Sequence, residues 1–107
     1  VVTVRPGDGL TYPRPGDKLK VQYSAALAAT GQEFDSSIQR GIPFRFSVGV
    51  GQVIRGWDEG MMRMSLGEKA TLRITSDFAY GVHGAGGSIP PHADLVFEVE
   101  LLDISAY

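Results

Sequence analysis

The sequence predicts an α+β protein in which an antiparallel sheet packs against one short helix. Four segments alternate apolar with polar side chains, and such alternation indicates strands with one buried face and one wet face. These segments are residues 18–23, 43–48, 69–76 and 95–101. Residues 52–62 instead space their apolar side chains as a helix does. Because the dry face of the sheet needs a cover, we expect this helix to lie against it.

The expected helix contains the only Trp of the chain. Ile54, Trp57 and Met61 are spaced so that they line one face of the helix. Gly56 and Gly60 each cost a helix interior roughly 1 kcal/mol relative to Ala. They also leave gaps where other backbone or a ligand can come close. Such a helix is expected to need the rest of the chain wrapped around it.

The other segments complete the sheet and its connections. Residues 1–4 form a short β-prone run, and residues 10–14 can form another extended piece after an intervening turn. The strand that starts at Lys18 is expected to continue to about Leu27, although its Ala content also favours a helix. Residues 33–41 are interpreted as an irregular polar stretch between strands.

A long loop spans residues 77–94 between the last two strands. Loops of this length in a compact domain are usually functional or disordered. Tyr80 and Ile89 are costly to leave exposed on a disordered loop, so we interpret the loop as a flap over a site. The alternative is a mobile loop whose few apolar residues merely dock on the core.

Composition restricts the class of protein. The 107 residues are expected to form one domain, residues 1–107, with a single core. Ten basic and twelve acidic residues give a net charge of −2, and no basic cluster appears along the sequence. This argues against nucleic acid or an anionic membrane as the main partner. The absence of Cys suits a reducing compartment. Because Val1 is not an initiator Met, the chain is expected to be processed or to be a domain of a longer protein.

Two nucleotide-binding patterns are only superficially present. Residues 51–56 match the first six positions of a phosphate-binding P-loop, but Trp57-Asp58 stand where Lys and Ser or Thr are required. Residues 49–51 follow a strand like a dinucleotide fingerprint, yet Ile54 occupies the third Gly position. Neither pattern therefore predicts nucleotide binding.

Hydrolase and metal chemistry are also poorly supported. Residues 83–87 resemble the oxyanion loop of some esterases, but the chain contains no G-x-S-x-G elbow. His83 and His92 have neither helical spacing nor a Cys partner, so no metal site is expected and both are interpreted as solvated loop residues. Glu98 and Glu100 fall on the outward face of a strand, where a solvated role is the default.

Aromatic side chains suggest a different kind of site. One interpretation is a purely aromatic core. Asp35 favours a site instead, because a carboxylate beside Phe34, near a core-forming segment, needs a partner. Arg40, five residues further on, can supply it. The aromatic residues come from well-separated segments and are Tyr23, Phe34, Phe44, Trp57, Tyr80 and Phe97.

Four motifs resemble those of the FKBP-type peptidyl-prolyl cis-trans isomerases, the immunophilins that bind tacrolimus and rapamycin. They are VIRGWDEG at residues 53–60, FDSS at 34–37, MSLGE at 64–68 and IPPHA at 89–93, and the match runs in register over essentially the whole chain. The resemblance implies a five-stranded antiparallel half-barrel sheet wrapped around one short α-helix. It also implies a cytoplasmic isomerase that assists protein folding without a cofactor or metal.

The resemblance further implies which molecules the protein meets. Prolyl peptides or proteins would be its substrates, and the macrolides would occupy the same pocket. A drug-dependent complex with calcineurin or TOR kinase would follow, and the protein would be a monomer. Two other functions remain open beside catalysis: a non-catalytic binding module using the same pocket, and a docking domain in which the pocket is vestigial.

Carried over position by position, the resemblance gives each pocket residue a role. Trp57 would form the floor on which a proline or pipecolyl ring lies. Phe34 would edge a small recess for a twisted carbonyl, together with two of the wall residues, Tyr23 and Phe97. The walls would be Tyr23, Phe44, Val53, Ile54, Ile89 and Phe97.

Hydrogen-bonding groups would orient the ligand. The Tyr80 hydroxyl and the Ile54 backbone N–H would donate to ligand carbonyls. Asp35, held by Arg40, would accept from a ligand hydroxyl, and the Gln52 carbonyl would be a further acceptor. The residues expected to act in catalysis are Asp35, Trp57, Tyr80 and Phe97.

The departures from the family pattern are local. Residues 23–25 read Tyr-Ser-Ala where many members have Gly after Thr, and one extra residue precedes Thr30. The flap tip, residues 85–88, is smaller and richer in Gly than the tip common in the family. These differences concern the rigidity of the flap and its contacts to protein partners.

Overall fold

The computed structural model describes residues 2–85 and 89–105, and it confirms the α+β architecture. The elements alternate short strands with two helices and two 3₁₀ turns. The strands are β1 (Val2–Arg5), β2 (Lys18–Leu27), β3 (Glu33–Ser36), β4 (Phe44–Ser47), β5 (Lys69–Ile74) and β6 (Leu95–Ser105). The helices are α1 (Ser37–Arg40) and α2 (Arg55–Met61), and the 3₁₀ turns are Ser76–Phe78 and Gly81–His83.

The strands form one antiparallel sheet in the order β1-β5-β6-β2-β3, with β4 also paired to β2. Because β6 pairs with β2 from Lys18 to Leu27, β3 and β4 must share the other edge of β2. Strand β3 lies opposite the end of β2 and β4 opposite its beginning. The sheet thus contains six strands in five positions, which accounts for the five strands expected.

Strand β2 confirms the extended interpretation of the Ala-rich segment over the helical one. Its register runs without a break from Val21 to Leu27 opposite β6. Pairing on both edges of β2 outweighs the helix propensity of its two Ala residues, Ala25 and Ala26, since propensity is a weak prior that tertiary pairing overrides.

Two connecting segments differ from expectation. Residues 33–41 are not irregular: β3 leads directly into α1, whose first turn is capped by the Ser36 hydroxyl accepting from the Gln39 N–H at 3.2 Å. Residues 10–14 form no strand. The Asp8 carboxylate accepts from the backbone N–H groups of Leu10 and Thr11 at 3.0 and 2.9 Å, and this local turn replaces extended pairing.

The core lies between the inner face of the sheet and α2. Trp57 and Met61 of the helix are 4% and 0% exposed, so the predicted helix face is confirmed. The alternating residues of the strands supply the opposite wall. They include Leu19, Val21, Tyr23, Ala70, Leu72, Ile74, Leu95, Phe97 and Val99. The longest helix in the described residues has seven residues, and none is long and apolar enough to cross a membrane.

Gly56 brings α2 close to β5. A Cβ built at Gly56 would lie 2.5 Å from Cγ2 of Ile74, inside the closest approach of carbon atoms. The expected gap at Gly56 is therefore filled by a side chain of the sheet rather than by backbone or ligand. This close contact fixes the position of the helix and of the Trp57 ring that it carries.

Candidate active site

A cavity of about 510 Å³, which we call the aromatic cavity, opens between α2, the inner face of the sheet and the loop that follows β5. Ten of its eleven lining residues are among those assigned to the site from the sequence. Gly51 is the additional one. The ten are Tyr23, Phe34, Asp35, Phe44, Gln52, Val53, Ile54, Trp57, Tyr80 and Phe97.

Aromatic rings surround the Trp57 indole. The ring centroids of Tyr23, Phe97 and Phe44 lie 5.1, 5.3 and 5.9 Å from Trp57, with interplanar angles of 87°, 78° and 72°. These are edge-to-face contacts, in which the positive ring edge meets the negative ring face. Phe46 adds a tilted contact at 5.4 Å. The indole is thereby held in one orientation from several sides.

The Trp57 indole also has an unsatisfied hydrogen-bond donor. Its Nε1 is buried, and it finds no acceptor among the residues that the structure describes. A buried donor without a partner costs free energy, so its retention beside the cavity requires a reason. This makes Trp57 unusual among the buried side chains of the core.

Asp35 lies in a hydrogen-bonded network at the rim of the cavity. The Tyr23 hydroxyl donates to Asp35 Oδ2 at 2.5 Å. Arg40 Nη1 donates to Asp35 Oδ1 in an ion pair, and Arg40 Nη2 donates to the Tyr23 hydroxyl at 3.1 Å. The expected Asp35–Arg40 pair is therefore present, whereas the participation of Tyr23 was not foreseen. Arg40 supports the site from outside and does not line the cavity.

The network shifts the pKa values of two groups in opposite directions. Burial alone would raise the pKa of Asp35, but hydrogen bonds from Tyr23 and Arg40 and the guanidinium charge outweigh it and lower that pKa below 3.8. Burial first, and then the hydrogen bond to Asp35, raise the pKa of Tyr23 above 10.0. At neutral pH the site therefore holds a carboxylate and an intact phenol.

The loop before α2 is held by the helix itself. Asp58 accepts from the backbone N–H groups of Gly49 and Gly51 at 2.8 and 3.0 Å. An acidic residue in the first turn of a helix is also favoured by the helix dipole. Gln52 is oriented by a 2.9 Å hydrogen bond from the Ser47 N–H to its Oε1. Ile54 is the N-cap of α2, so its own N–H lies outside the helical hydrogen-bond ladder.

The loop between β5 and β6 contributes Tyr80 to the cavity. Tyr80 lies between the two 3₁₀ turns and is 40% exposed. Hydrogen bonds from the His92 N–H to the Gly81 carbonyl at 2.9 Å and from the Ser76 N–H to Asp94 Oδ1 at 3.0 Å tie the loop together. Of the flap tip, residues 85–88, only Ala85 is among the described residues.

Ile89 is the one predicted wall residue that lies outside the cavity lining. It is 7% exposed, belongs to the hydrophobic core and is not among the residues that line the cavity. Its backbone forms an antiparallel bridge with Ala85, with N–H to carbonyl distances of 2.9 and 3.1 Å. A Cβ at Gly84 would lie 2.2 Å from the Ile89 carbonyl oxygen, so this close bridge requires Gly at residue 84. His83 and His92 are exposed, as expected.

Comparison with known proteins decides the family. A sequence profile of the FKBP-type peptidyl-prolyl cis-trans isomerases matches residues 9–102. The chain belongs to this family. The resemblance seen in its motifs is thereby confirmed.

Curated relatives cover nearly the whole chain. FK506-binding protein 1 of Yarrowia lipolytica is 53% identical over 105 residues, which are 98% of this chain and 96% of that protein. A peptidyl-prolyl cis-trans isomerase of Schizosaccharomyces pombe is 54% identical over 92% of this chain and 88% of its own length. Peptidyl-prolyl cis-trans isomerase Fkbp12 of Drosophila melanogaster is 50% identical over 97% and 95%.

Three further residues of this FKBP-type chain contribute to the site, although the sequence did not assign them to it. Gly51 lines the cavity, and Asp58 holds the loop that carries it. Ser37 is fully buried and accepts from the Tyr23 N–H at 2.8 Å, which fixes β2 beside the site. The available sequence signals were two consecutive Ser residues, the first of which can cap a helix, and an Asp in the first turn of the predicted helix.

Proposed function

We propose that the chain catalyses the cis–trans isomerisation of X–Pro bonds in the aromatic cavity and so assists protein folding. Membership of the FKBP-type family supports the reaction. The observation that carries the assignment to this cavity is the Trp57 indole, held edge-on by Tyr23, Phe44 and Phe97 in its wall. A proline ring is apolar and flat enough to lie against such a surface.

The chemical task is rotation about one bond. An X–Pro bond isomerises slowly because rotation breaks amide resonance, at a barrier of about 18–20 kcal/mol. No bond to the substrate is made or broken, so neither a nucleophile nor a proton transfer is required. The planar amide is more polar than the twisted one. Moving it from water into an aromatic cavity therefore raises the ground state relative to the twisted state.

Hydrogen-bonding groups at the rim would hold the substrate while the bond rotates. The Tyr80 hydroxyl and the Ile54 N–H are donors for carbonyls that flank the proline. Phe34 and Phe97, whose centroids are 6.5 Å apart, would edge the recess for the twisted carbonyl. An acceleration of about 10⁵-fold requires roughly 7 kcal/mol of transition-state stabilisation. Desolvation and orientation together would supply it.

The same cavity would bind tacrolimus and rapamycin. Several relatives carry the name FK506-binding protein 1, which supports this proposal. Asp35 would accept a hydrogen bond from a drug hydroxyl, and its partners Tyr23 and Arg40 keep it ionised for that purpose. The drug complex would then dock on calcineurin or TOR kinase. We further propose that residues 1–107 act as a single, monomeric, cytoplasmic domain.

The test is the relaxation of a short X–Pro peptide from cis to trans, followed with and without the protein at catalytic concentration. We expect strong acceleration by the wild type. Tyr80→Phe should lower kcat/KM about 2- to 12-fold, the loss expected for one neutral hydrogen bond. Tyr12→Phe is the matched control, because Tyr12 is exposed and does not line the cavity. Macrolide binding without any acceleration would instead identify a non-catalytic binding module.

A further inference from the structure

A second cavity of about 550 Å³ lies where β2, β4 and β6 run side by side. Its charged lining residues are Lys18 and Lys20 of β2, Arg45 of β4 and Asp103 of β6. We call this cavity the basic groove. The three cations are far apart in sequence or separated by an apolar residue, so the sequence shows no basic cluster there.

The strand register creates this concentration of positive charge. Lys20 lies directly opposite Arg45 on one side and Asp103 on the other. Like charges in a cross-strand pair destabilise a sheet. Three cations and one carboxylate leave two positive charges unbalanced, in a chain whose net charge is −2. Among residues 2–85 and 89–105, none of these three cations forms an ion pair. The cations that do are Arg5, Arg40 and Arg55.

The basic groove adjoins the aromatic cavity at one side chain. Gln52 lines both cavities. Its Oε1 accepts from the Ser47 N–H at 2.9 Å, so the side chain is held against the edge of β4. Strand β4 pairs with β2 alone, which leaves its other edge uncovered by any described strand. A peptide that leaves the aromatic cavity past Gln52 therefore crosses this edge and reaches Arg45.

We propose that the basic groove is a subsite for acidic or phosphorylated residues of the substrate chain, at a distance from the isomerised bond. The inference rests on the proposed isomerase function. Ammonium and guanidinium groups form charge-assisted hydrogen bonds with carboxylate and phosphate, and Arg45 can do so with two parallel bonds. An extended chain advances about 3.3 Å per residue. Because Gln52 lines both cavities, we place the anionic residues roughly three to six positions from the proline.

The substrate class follows from this arrangement. Prolyl segments with a nearby cluster of Glu, Asp or phosphoserine would be isomerised in preference to neutral or basic ones. The preference would act on binding rather than on bond rotation, because the groove lies outside the aromatic cavity. It would therefore appear in KM, with kcat little changed.

The experiment starts from one X–Pro peptide with neutral flanks. Variants of this peptide carry three Glu, three phosphoserine or three Lys residues roughly three to six positions from the proline. Each set of three is placed either before or after the proline. Isomerisation is followed by NMR and binding by calorimetry. We expect kcat/KM about 5- to 10-fold higher for the acidic peptides on one side of the proline, and lower for the Lys peptide. The advantage should shrink in high salt, which screens exposed charges. Equal rates for acidic and neutral peptides on both sides would overturn the proposal.

A matched pair of variants tests the location. Replacing Lys18, Lys20 and Arg45 together by Gln should abolish the acidic preference and leave the rate on the neutral peptide unchanged. Replacing three other cations by Gln changes the net charge equally and should retain the preference. These control residues, Arg63, Lys69 and Arg73, line neither the aromatic cavity nor the basic groove.

The outcomes separate this inference from the function on which it rests. An acidic preference that survives the groove variant, or that falls equally in both variants, would overturn the proposed subsite. Absence of catalysis on every peptide would reject the isomerase function itself. In that event the calorimetric dissociation constants of acidic and neutral peptides, in the wild type and the groove variant, still decide the subsite.

Discussion

The Tyr23 hydroxyl donates a 2.5 Å hydrogen bond to the Asp35 carboxylate across strands β2 and β3. Asp35 lies opposite Ala25 in the register, so Tyr23 is its diagonal neighbour on the same face of the sheet. The bond connects a wall of the aromatic cavity to the charged group at its rim. Arg40 closes the arrangement by contacting both residues.

Removing this bond should raise the pKa of Asp35 and destabilise the protein. We expect Tyr23→Phe to cost about 0.5–1.5 kcal/mol of unfolding free energy at pH 7. Since the folded-state pKa of Asp35 is lowered, its contribution is present above 3.8 and is lost as the pH falls through the folded-state value. The difference between wild type and variant should therefore shrink in strong acid. Urea unfolding across pH and an NMR titration of the carboxyl would show it, with Tyr12→Phe unchanged.

Asp35→Val should weaken macrolide binding more than it weakens peptide isomerisation. The drugs offer a hydroxyl to the carboxylate, and losing a charge-assisted hydrogen bond costs about 1.5–3 kcal/mol, or roughly 10- to 150-fold in Kd. A prolyl peptide has no equivalent hydroxyl. Calorimetry and the isomerase assay are to be compared on the same preparation, with Glu33→Val, an exposed neighbour on β3, as control. Equal losses in both assays would mean that Asp35 acts mainly by holding Tyr23 and Arg40.

Gly56→Ala should destabilise the protein although Ala favours a helix. The new methyl group would lie 2.5 Å from the Ile74 side chain, and overpacking of this kind costs about 1–3 kcal/mol. The gain in helix propensity offsets roughly 1 kcal/mol of this. Chemical unfolding of Gly56→Ala, Ile74→Ala and the double variant forms a cycle. Costs that simply add would contradict a direct clash between the two residues.

The isomerase rate should be nearly constant from about pH 5.5 to 8.5, because Asp35 and Tyr23 keep their protonation states over this range. Asp35 is ionised above its lowered pKa, and Tyr23 remains protonated because its pKa is raised. His83 and His92 are exposed and lie outside the cavity lining. A bell-shaped profile of kcat/KM that disappears on replacing either His by Gln would establish acid–base catalysis instead.

The periodicity of the sequence was enough to place most of the core. Alternation put Leu19, Val21 and Phe97 on the inner face of the sheet, and helical spacing put Trp57 and Met61 against them. These are local properties of the chain, since each depends only on neighbours within one element. The cavity-lining residues additionally required the family resemblance, because nothing in a pattern of aromatic residues separates a cavity from a filled core.

Features that depend on register were not accessible in the same way. The Tyr23–Asp35 hydrogen bond requires strand β3, but residues 33–36 show no alternation of apolar and polar side chains that would predict a strand. Ile89 has the apolar side chain of a wall, yet its bridge to Ala85 places it in the core. The basic groove exists because three strands place Lys20 between Arg45 and Asp103. Each of these follows from backbone pairing, whose register a sequence pattern does not specify.

The most direct test of the central claim measures catalysis and the state of Trp57 in the same sample. Tacrolimus is added stepwise while the intrinsic emission and the isomerisation rate of an X–Pro peptide are recorded. Trp57 is the only Trp and lines the aromatic cavity, so its emission reports occupancy of that cavity. We predict that the catalysed rate falls in proportion to the change in emission and reaches the uncatalysed rate at saturation. Catalysis that persists after the Trp57 emission change is complete would show that the reaction takes place elsewhere on the protein.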